Sequence, residues 1–451
     1  MGGLLSQARI VLSCRLNLWD GNRNALDTFD TYRTLEFSYP QQVEQFIGQW
    51  FGALSEEQEV QAERLCAALK APGKERIRDL VKNPLRLTLW CFNWYLGEGT
   101  LPETKAGLYE QFVADFYEWK REQFPTTAKQ RRQLNAALGE LAREAIDKEE
   151  TRFRLRHDFV CEFLGEPDEE GSLFQLALQL GWLNQVGVDA ENRRKAVYAF
   201  FHPTFQEYFA AKHFCDKHRW KYLSNHITEI HWYEVFLLLS SMVEEADEFI
   251  FSMKQWIDIL LTLDPNIQEI LIWINQETSA IQVKYTPAIV RAFALNLVLD
   301  ITYNLDLNRD LDLIRTFNLR PIDGYHLAYD LAQVFNLTSS LPSNPSSSER
   351  LNPELQNFLR ELRCASNNEE ELRKIWLTKG YIWSNILRNV ITPYYRLDYD
   401  WNLDNQQLSL LLQYYESNKL LIDCLNNVCN IHNDTRKYIL KNLLLPMRER
   451  E

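Results

Sequence analysis

GWLNQVGVDAENRRKAVYAFFHPTFQEYFAAKHF, residues 181–214, changes its hydrophobic period twice. Gly181 follows the apolar run from Leu173 to Leu180, and a glycine there can close a helix in the left-handed conformation. WLNQVGV alternates as a strand, DAENRRK is a polar turn, and AVYAFF alternates back, so the spacing predicts a β-hairpin. Pro203 then opens a helix, whose first turn loses nothing by a missing N–H. Phe205, Tyr208 and Phe209 recur at i, i+3 and i+4 and form its apolar face. His202 stands at this junction, at or near the N-cap. It either only ends the strand, or its ring N–H joins the exposed backbone N–H groups of the helix start in holding a phosphate. The local sequence leaves both readings open.

Working outward, a helix over Leu134 to Ile146 and apolar positions at Phe159, Phe163 and Leu164 precede the hairpin. Helices, a hairpin and one more helix describe a winged-helix domain over 126–215. From Pro40 to Phe124 the period is helical: Val43, Phe46, Ile47, Trp50 and Phe51; then Val60, Leu65, Ala68 and Leu69; then Leu85, Leu87, Leu89, Phe92 and Tyr95 after Asn83-Pro84. GEGTLP, residues 97–102, is a loop, and Leu108, Phe112, Val113, Phe116 and Trp119 mark the next helix. This is a helical subdomain over 39–125. Ahead of it, ARIVLSC reads as a buried strand that needs neighbours to pair with, the end of an α/β core over 1–38.

Beyond residue 215 the period is helical over His231 to Val243, Phe249 to Leu263, Ile267 to Ile274 and Pro287 to Leu305. NLDLNRDLDLI fits both a helix and a strand and is read as helix. The helical region 216–337 is followed by a Ser/Pro/Asn-rich linker over 338–349 and a second helical block over 350–451. Paired helices would suit an irregular solenoid, although no exact tandem repeat is present. The expected fold is therefore mainly α: a truncated α/β core remnant, a helical subdomain, a winged helix and a C-terminal helical region.

Composition narrows the function classes. A net charge of −13 over 451 residues argues against a broad nucleic-acid surface. No segment reaches the roughly 18 consecutive apolar residues of a membrane span. Arg9 and Arg15 interrupt the N-terminal apolar stretch, which argues against a secretory signal. The eight cysteines follow no disulfide framework, so the expectation is a cytoplasmic protein with reduced thiols. Gly2 and Ser6 match only the bare myristoylation pattern, which chance often supplies.

The search for reaction chemistry mostly fails. G-x-x-x-x-G-K-[ST] is absent, as are a strand ending in paired acidic residues, HExxH, GxSxG and GxGxxG. Asp306, Asn308 and Asp310 begin like a calcium loop, but Leu311 replaces the required Gly and Phe317 the required Glu. Cys424, Cys429 and His432 have no fourth ligand nearby, and Cys424 lies among leucines, so core packing is the expectation there. No catalytic residue and no metal ligand is assigned.

Several segments carry a resemblance through their order. ARIVLSCR, LEFSYPQQVEQFIGQWF, NPLRLTLWC, LPETKAGLYEQFV and FFHPTFQEYFAAKHF resemble the second half of a NACHT domain, of the signal-transduction NTPases with numerous domains. GYIWSNILRNV, LLLQYYESNKLLIDCLNN and LLLP resemble the helical C-terminal extension of bacterial NACHT proteins. The resemblance implies a nucleotide-switched regulatory protein whose cofactor is ATP or ADP. It implies that Arg15 is the sensor arginine facing the terminal phosphate and that Pro84 packs on the adenine. It implies that His202 contacts the β-phosphate and holds the ADP-bound form closed. The chain shows no P-loop and no acidic magnesium ligands, so it is expected to be inactive alone and to bind nucleotide weakly. Protein partners or self-association are expected, possible triggers being phage or stress components. The rival reading is a non-enzymatic helical interaction module. A winged-helix DNA binder is disfavoured: Arg193, Arg194 and Lys195 lie in the turn, but FQEYFAA is apolar and acidic.

Overall fold

The computed structural model describes residue 32, residues 34–303 apart from 53–58, 72–73, 97–101, 103, 149–152, 170, 190–194, 219, 245 and 280–284, residues 316–317, and residues 403–446 apart from 429. Arg15, the ARIVLSC strand, the calcium-loop-like segment up to Arg315, the linker and GYIWSNILRNV lie outside the described residues. The chain divides into two compact units, Met1–Gln123 and Phe124–Glu451.

The first unit is helical: α1 (Gln41–Gly52), α2 (Glu59–Lys70), α3 (Glu75–Leu80), α4 (Pro84–Leu96) and α5 (Lys105–Trp119). Its core takes Val43, Ile47 and Phe51 from α1, Leu65 and Leu69 from α2, and Leu87, Trp90, Cys91 and Trp94 from α4. Three positions expected on apolar faces lie outside instead, Trp119 at the end of α5 being one. Val60 and Tyr95 are exposed. On α4 the residues at i, i+3, i+4 and i+7 from Leu87 point inward, and Tyr95 falls off that stripe by one step of about 100°. Thr104 caps α5, its hydroxyl accepting from the Gly107 N–H at 2.9 Å.

The second unit opens with α6 (Ala128–Asp147), whose N-terminus carries a Thr127–Gln130 capping box. There follow β1 (Leu155–Arg156), α7 (His157–Leu164), α8 (Leu173–Leu180), β2 (Leu183–Val188), β3 (Ala196–Phe200) and α9 (Pro203–Lys217). The three strands form an antiparallel sheet in the order β1-β3-β2. β1 is two residues long, too short to announce itself by alternation, and only its pairing of Leu155 with Tyr198 and Arg156 with Val197 reveals it. Gly181 closes α8 at φ +87°, as the sequence predicts.

The alternation read in WLNQVGV breaks halfway. A register shift falls between Gln185 and Gly187, and Val186 and Val188 are exposed rather than buried. Among the described residues β2 lies at the edge of the sheet and its side chains past Leu183 are mostly exposed, and the bulge re-aims them. Asp189, just past the strand, is held by its N–H bond to the Lys195 carbonyl at 2.9 Å and by Arg156 at 3.4 Å.

Among the described residues the remaining α-helices are α10 (Tyr233–Ser240), α11 (Ala246–Leu260), α12 (Pro265–Ser279), α13 (Pro287–Tyr303), α14 (Asn405–Asn427) and α15 (Asn433–Lys441). The helix expected over Phe249 to Leu263 stops at Leu260 and tightens into a 3-10 turn over Leu261–Leu263. The Asp264 carboxylate then accepts from the Asn266 N–H at 2.7 Å, which restarts the chain as α12. α14 packs on α10 and α11. Ser417 donates to the Ile227 carbonyl at 3.1 Å, Tyr233 donates to the Asp423 carboxylate, and Asn427 donates to the Leu237 carbonyl. A segment far along the chain is thereby locked onto helices that follow α9.

Candidate functional site

His202 is the N-cap of α9. Its backbone is extended, at φ −148° and ψ 144°, and its carbonyl accepts from the Phe205 N–H at 2.9 Å. The ring Nδ1 accepts from the Thr204 N–H at 3.2 Å and lies 2.7 Å from Thr204 Oγ1. N-caps are usually Ser, Thr, Asp or Asn, because a short side chain reaches the N2 or N3 N–H easily. Here a ring nitrogen performs that task. In the neutral ring an accepting Nδ1 places the proton on Nε2, on the far side of the ring from the cap. The arrangement thus presents a donor beside the positive end of a helix.

The frame that holds this ring is aromatic. Phe200 pairs with Leu183 in the sheet, and the Phe201 N–H donates to the Trp182 carbonyl at 2.8 Å. Trp182 is fully buried and meets Phe205 at 5.6 Å and Phe209 edge-on at 5.3 Å between ring centroids. The Gln206-Glu207 pair, polar in sequence, is also buried, as is every residue from Phe205 to Ala211. α9 is therefore covered along its middle, from Phe205 to Ala211, while its N-terminus at His202–Thr204 stays half-buried and its last residues are exposed. His202→Ala is expected to cost about 1 kcal/mol of stability through the lost cap, while His202→Asn stays within roughly 0.5 kcal/mol of the native chain. Urea unfolding of both variants checks this; equal losses would show that the ring acts otherwise than as a cap.

Pro84 occupies the first turn of α4 in the other unit. Asn83 is its cap, with Oδ1 accepting from the Arg86 N–H at 3.1 Å and the carbonyl from the Leu87 N–H at 2.9 Å. The Pro84 ring is exposed while Leu87, one turn on, is buried. His202 and Pro84 thus stand at the starts of helices in separate units, and Arg15 lies outside the described residues.

Cys424 is buried in the leucine-rich face of α14, and desolvation holds its thiol well above the ordinary value. His432 instead receives Asp247: the carboxylate accepts from the His432 N–H at 3.1 Å and lies 2.6 Å from Nδ1, which raises the imidazole's pKa. Cys429 is outside the described residues. The core-packing reading of Cys424 and the ion pair of His432 account for two members of this trio.

Residues 351–446 match the family model of NACHT C-terminal helical domain 2. No curated protein matches the chain. On the family match, residues 351–446 are a C-terminal portion of NACHT type, and of them the structure describes 403–446 apart from 429, the segment that forms α14 and α15.

Proposed function

We propose that this chain is the regulatory portion of a nucleotide-switched NACHT-type signalling protein. The match over residues 351–446 carries that reading. In it, residues 126–215 are a winged helix, as the helix, strand, helix, helix, hairpin, helix order supports. His202 then donates from Nε2 to the β-phosphate of ADP, and the α9 amides share the charge. Pro84, exposed at the start of α4, packs on the adenine, and Arg15 faces the terminal phosphate in the ATP form. Exchange of ADP for ATP releases His202 and lets the winged helix rotate, while the helices beyond residue 215 receive the trigger and gate the motion. The output is regulation of a protein partner or of self-association, in the cytoplasm, with host defence as the setting.

The acidic chain and the apolar α8, which carries no basic residue, make a nucleic-acid partner a poor fit. Among the described residues no helix is long and apolar enough to cross a membrane.

The test joins this chain to a nucleotide-binding core bearing a P-loop, fused ahead of it or supplied in trans. ADP binding measured by calorimetry is expected to appear on joining and to weaken about 10- to 100-fold in His202→Asn, since a charged hydrogen bond contributes roughly 1.5–3 kcal/mol. His202→Asn keeps the cap, so the loss isolates the ring's outer nitrogen. Unchanged ADP affinity in that variant would remove the latch and leave the helical interaction module as the better account.

A further inference from the structure

A side-chain cluster on α7, away from His202, has the makings of a metal site. His157 and Cys161 are four residues apart and lie on one face of the helix. α7 ends at Leu164, and its C-cap Gly165, at φ +77°, turns the chain back so that Glu166 reaches the same face. A Glu166 carboxylate oxygen lies 3.5 Å from Cys161 Sγ and 3.7 Å from His157 Nε2, and all three ligand atoms are within 4.8 Å of one another.

These separations have a physical meaning. A tetrahedral ion bound at ~2.0–2.3 Å spaces its ligand atoms about 3.3–3.7 Å apart. The two separations to Glu166 already match such a tetrahedron, the third lies within 4.8 Å, and a fourth corner would be left to water. His157 is also held in orientation, its ring 5.7 Å from that of Phe174 and 6.1 Å from that of Tyr198. Cys161 and His157 are half-buried, and Glu166 is exposed and gives access from solvent.

We propose that His157, Cys161 and Glu166 form a binding site for a divalent transition-metal ion of the zinc type. A thiolate with an imidazole and one carboxylate selects a borderline-soft ion over calcium or magnesium, which take oxygen ligands. On binding, the Cys161 S–H bond breaks, its proton leaves to solvent, and the thiolate donates an electron pair to the metal; no electron is transferred. Burial, together with the Glu166 carboxylate, pushes the Cys161 thiol up to about 11, so the uncomplexed thiol is protonated at neutral pH. Metal binding must therefore displace that proton, so occupancy should rise with pH. The bound ion would tie α7 to the turn after it, and, through Leu155 and Arg156 immediately before His157, to β3. Metal occupancy would thus stiffen the sheet whose strand β3 ends at Phe200, two residues before His202.

The probe is Co²⁺ added to the full chain, read by the thiolate-to-cobalt charge-transfer absorption, with Zn²⁺ competing it away. The band is expected in the native chain and lost in Cys161→Ser, and His157→Ala is expected to weaken Zn²⁺ at least about 100-fold, the upper end of what loss of an outer-shell partner costs. His432→Ala should leave the band and the affinity intact. Circular dichroism confirms that each variant is folded. No thiolate band in the native chain, or a band that persists in folded Cys161→Ser, would overturn the assignment. As a second measure, Zn²⁺ should raise the unfolding midpoint of the native chain and not that of Cys161→Ser.

Discussion

Gly139→Leu is expected to lower stability by about 3 kcal/mol, the upper range for overpacking a closed interface. Gly139 lies inside α6, where this helix crosses α9. A Cβ placed there would come within 3.0 Å of the Phe209 carbonyl oxygen and within 3.0 Å of His213 Cβ. The first neighbour is backbone and the second is the root of a side chain, so neither can swing aside. The helices must separate, and with them the contacts that seat Phe205 and Phe209 against Trp182. Gly139→Ala is the informative companion. It meets the same two atoms with a single carbon, but alanine recovers up to ~1 kcal/mol of helix propensity, so its net cost should be at most about half that of leucine. Urea unfolding followed by tryptophan fluorescence reports directly, because Trp182 sits beneath α9. A Gly139→Leu midpoint equal to the native one would show that the crossing is not tight.

The other large effect is expected at Arg291. This residue of α13 is buried, with Nε donating to the Leu443 carbonyl and Nη2 to the Lys441 carbonyl, each at 2.9 Å. α15 ends at Lys441, so the guanidinium takes up the last helical carbonyl and the Leu443 carbonyl just beyond it, and meets the negative end of the helix dipole. Arg291→Met keeps most of the stem's volume, leaves the buried Leu443 carbonyl without this donor and removes the part-buried bond to the Lys441 carbonyl. At ~1–3 kcal/mol for each buried group left without a partner, the loss should reach about 3 kcal/mol after the relieved burial of charge is allowed for. Arg291→Lys should lie close to Arg291→Met, because an ammonium on a single stem does not present the two parallel donors of the fork. Limited proteolysis locates the effect: cleavage within 403–446 should accelerate in both variants before α6 or α9 is touched. A native cleavage rate in Arg291→Met would show that the leucines at 443–445 hold the tail without the fork.

Arg291 also shows where sequence reading stops. LLLP is legible as an apolar end to the chain, and α13 as a helix opened by Pro287, yet nothing in either segment announces that one basic residue joins them over about 150 positions. Such a bond depends on two chain segments meeting in space, and a local period carries no information on that. The trio on α7 hides for a related reason. His157 and Cys161 have helical spacing, but Glu166 joins them only because Gly165 turns the chain back at positive φ. Val186 and Val188 mislead in the opposite sense: their alternation is real, but the bulge and the edge position leave them exposed.

What the amino-acid order determined by itself was local and periodic. It specified the helix stops and starts at Gly181, Pro203, Asn83-Pro84 and Pro287, the hairpin between α8 and α9, and His202 as the cap of α9, because capping, turn chemistry and amphipathic period act over a few residues. Tertiary structure alone decided the two-residue β1, the close crossing at Gly139, the burial of Gln206 and Glu207, and the return of α14 and α15 onto the helices after α9. Each of these depends on which surfaces meet, and that follows from the packing of the whole unit rather than from any short stretch of the chain.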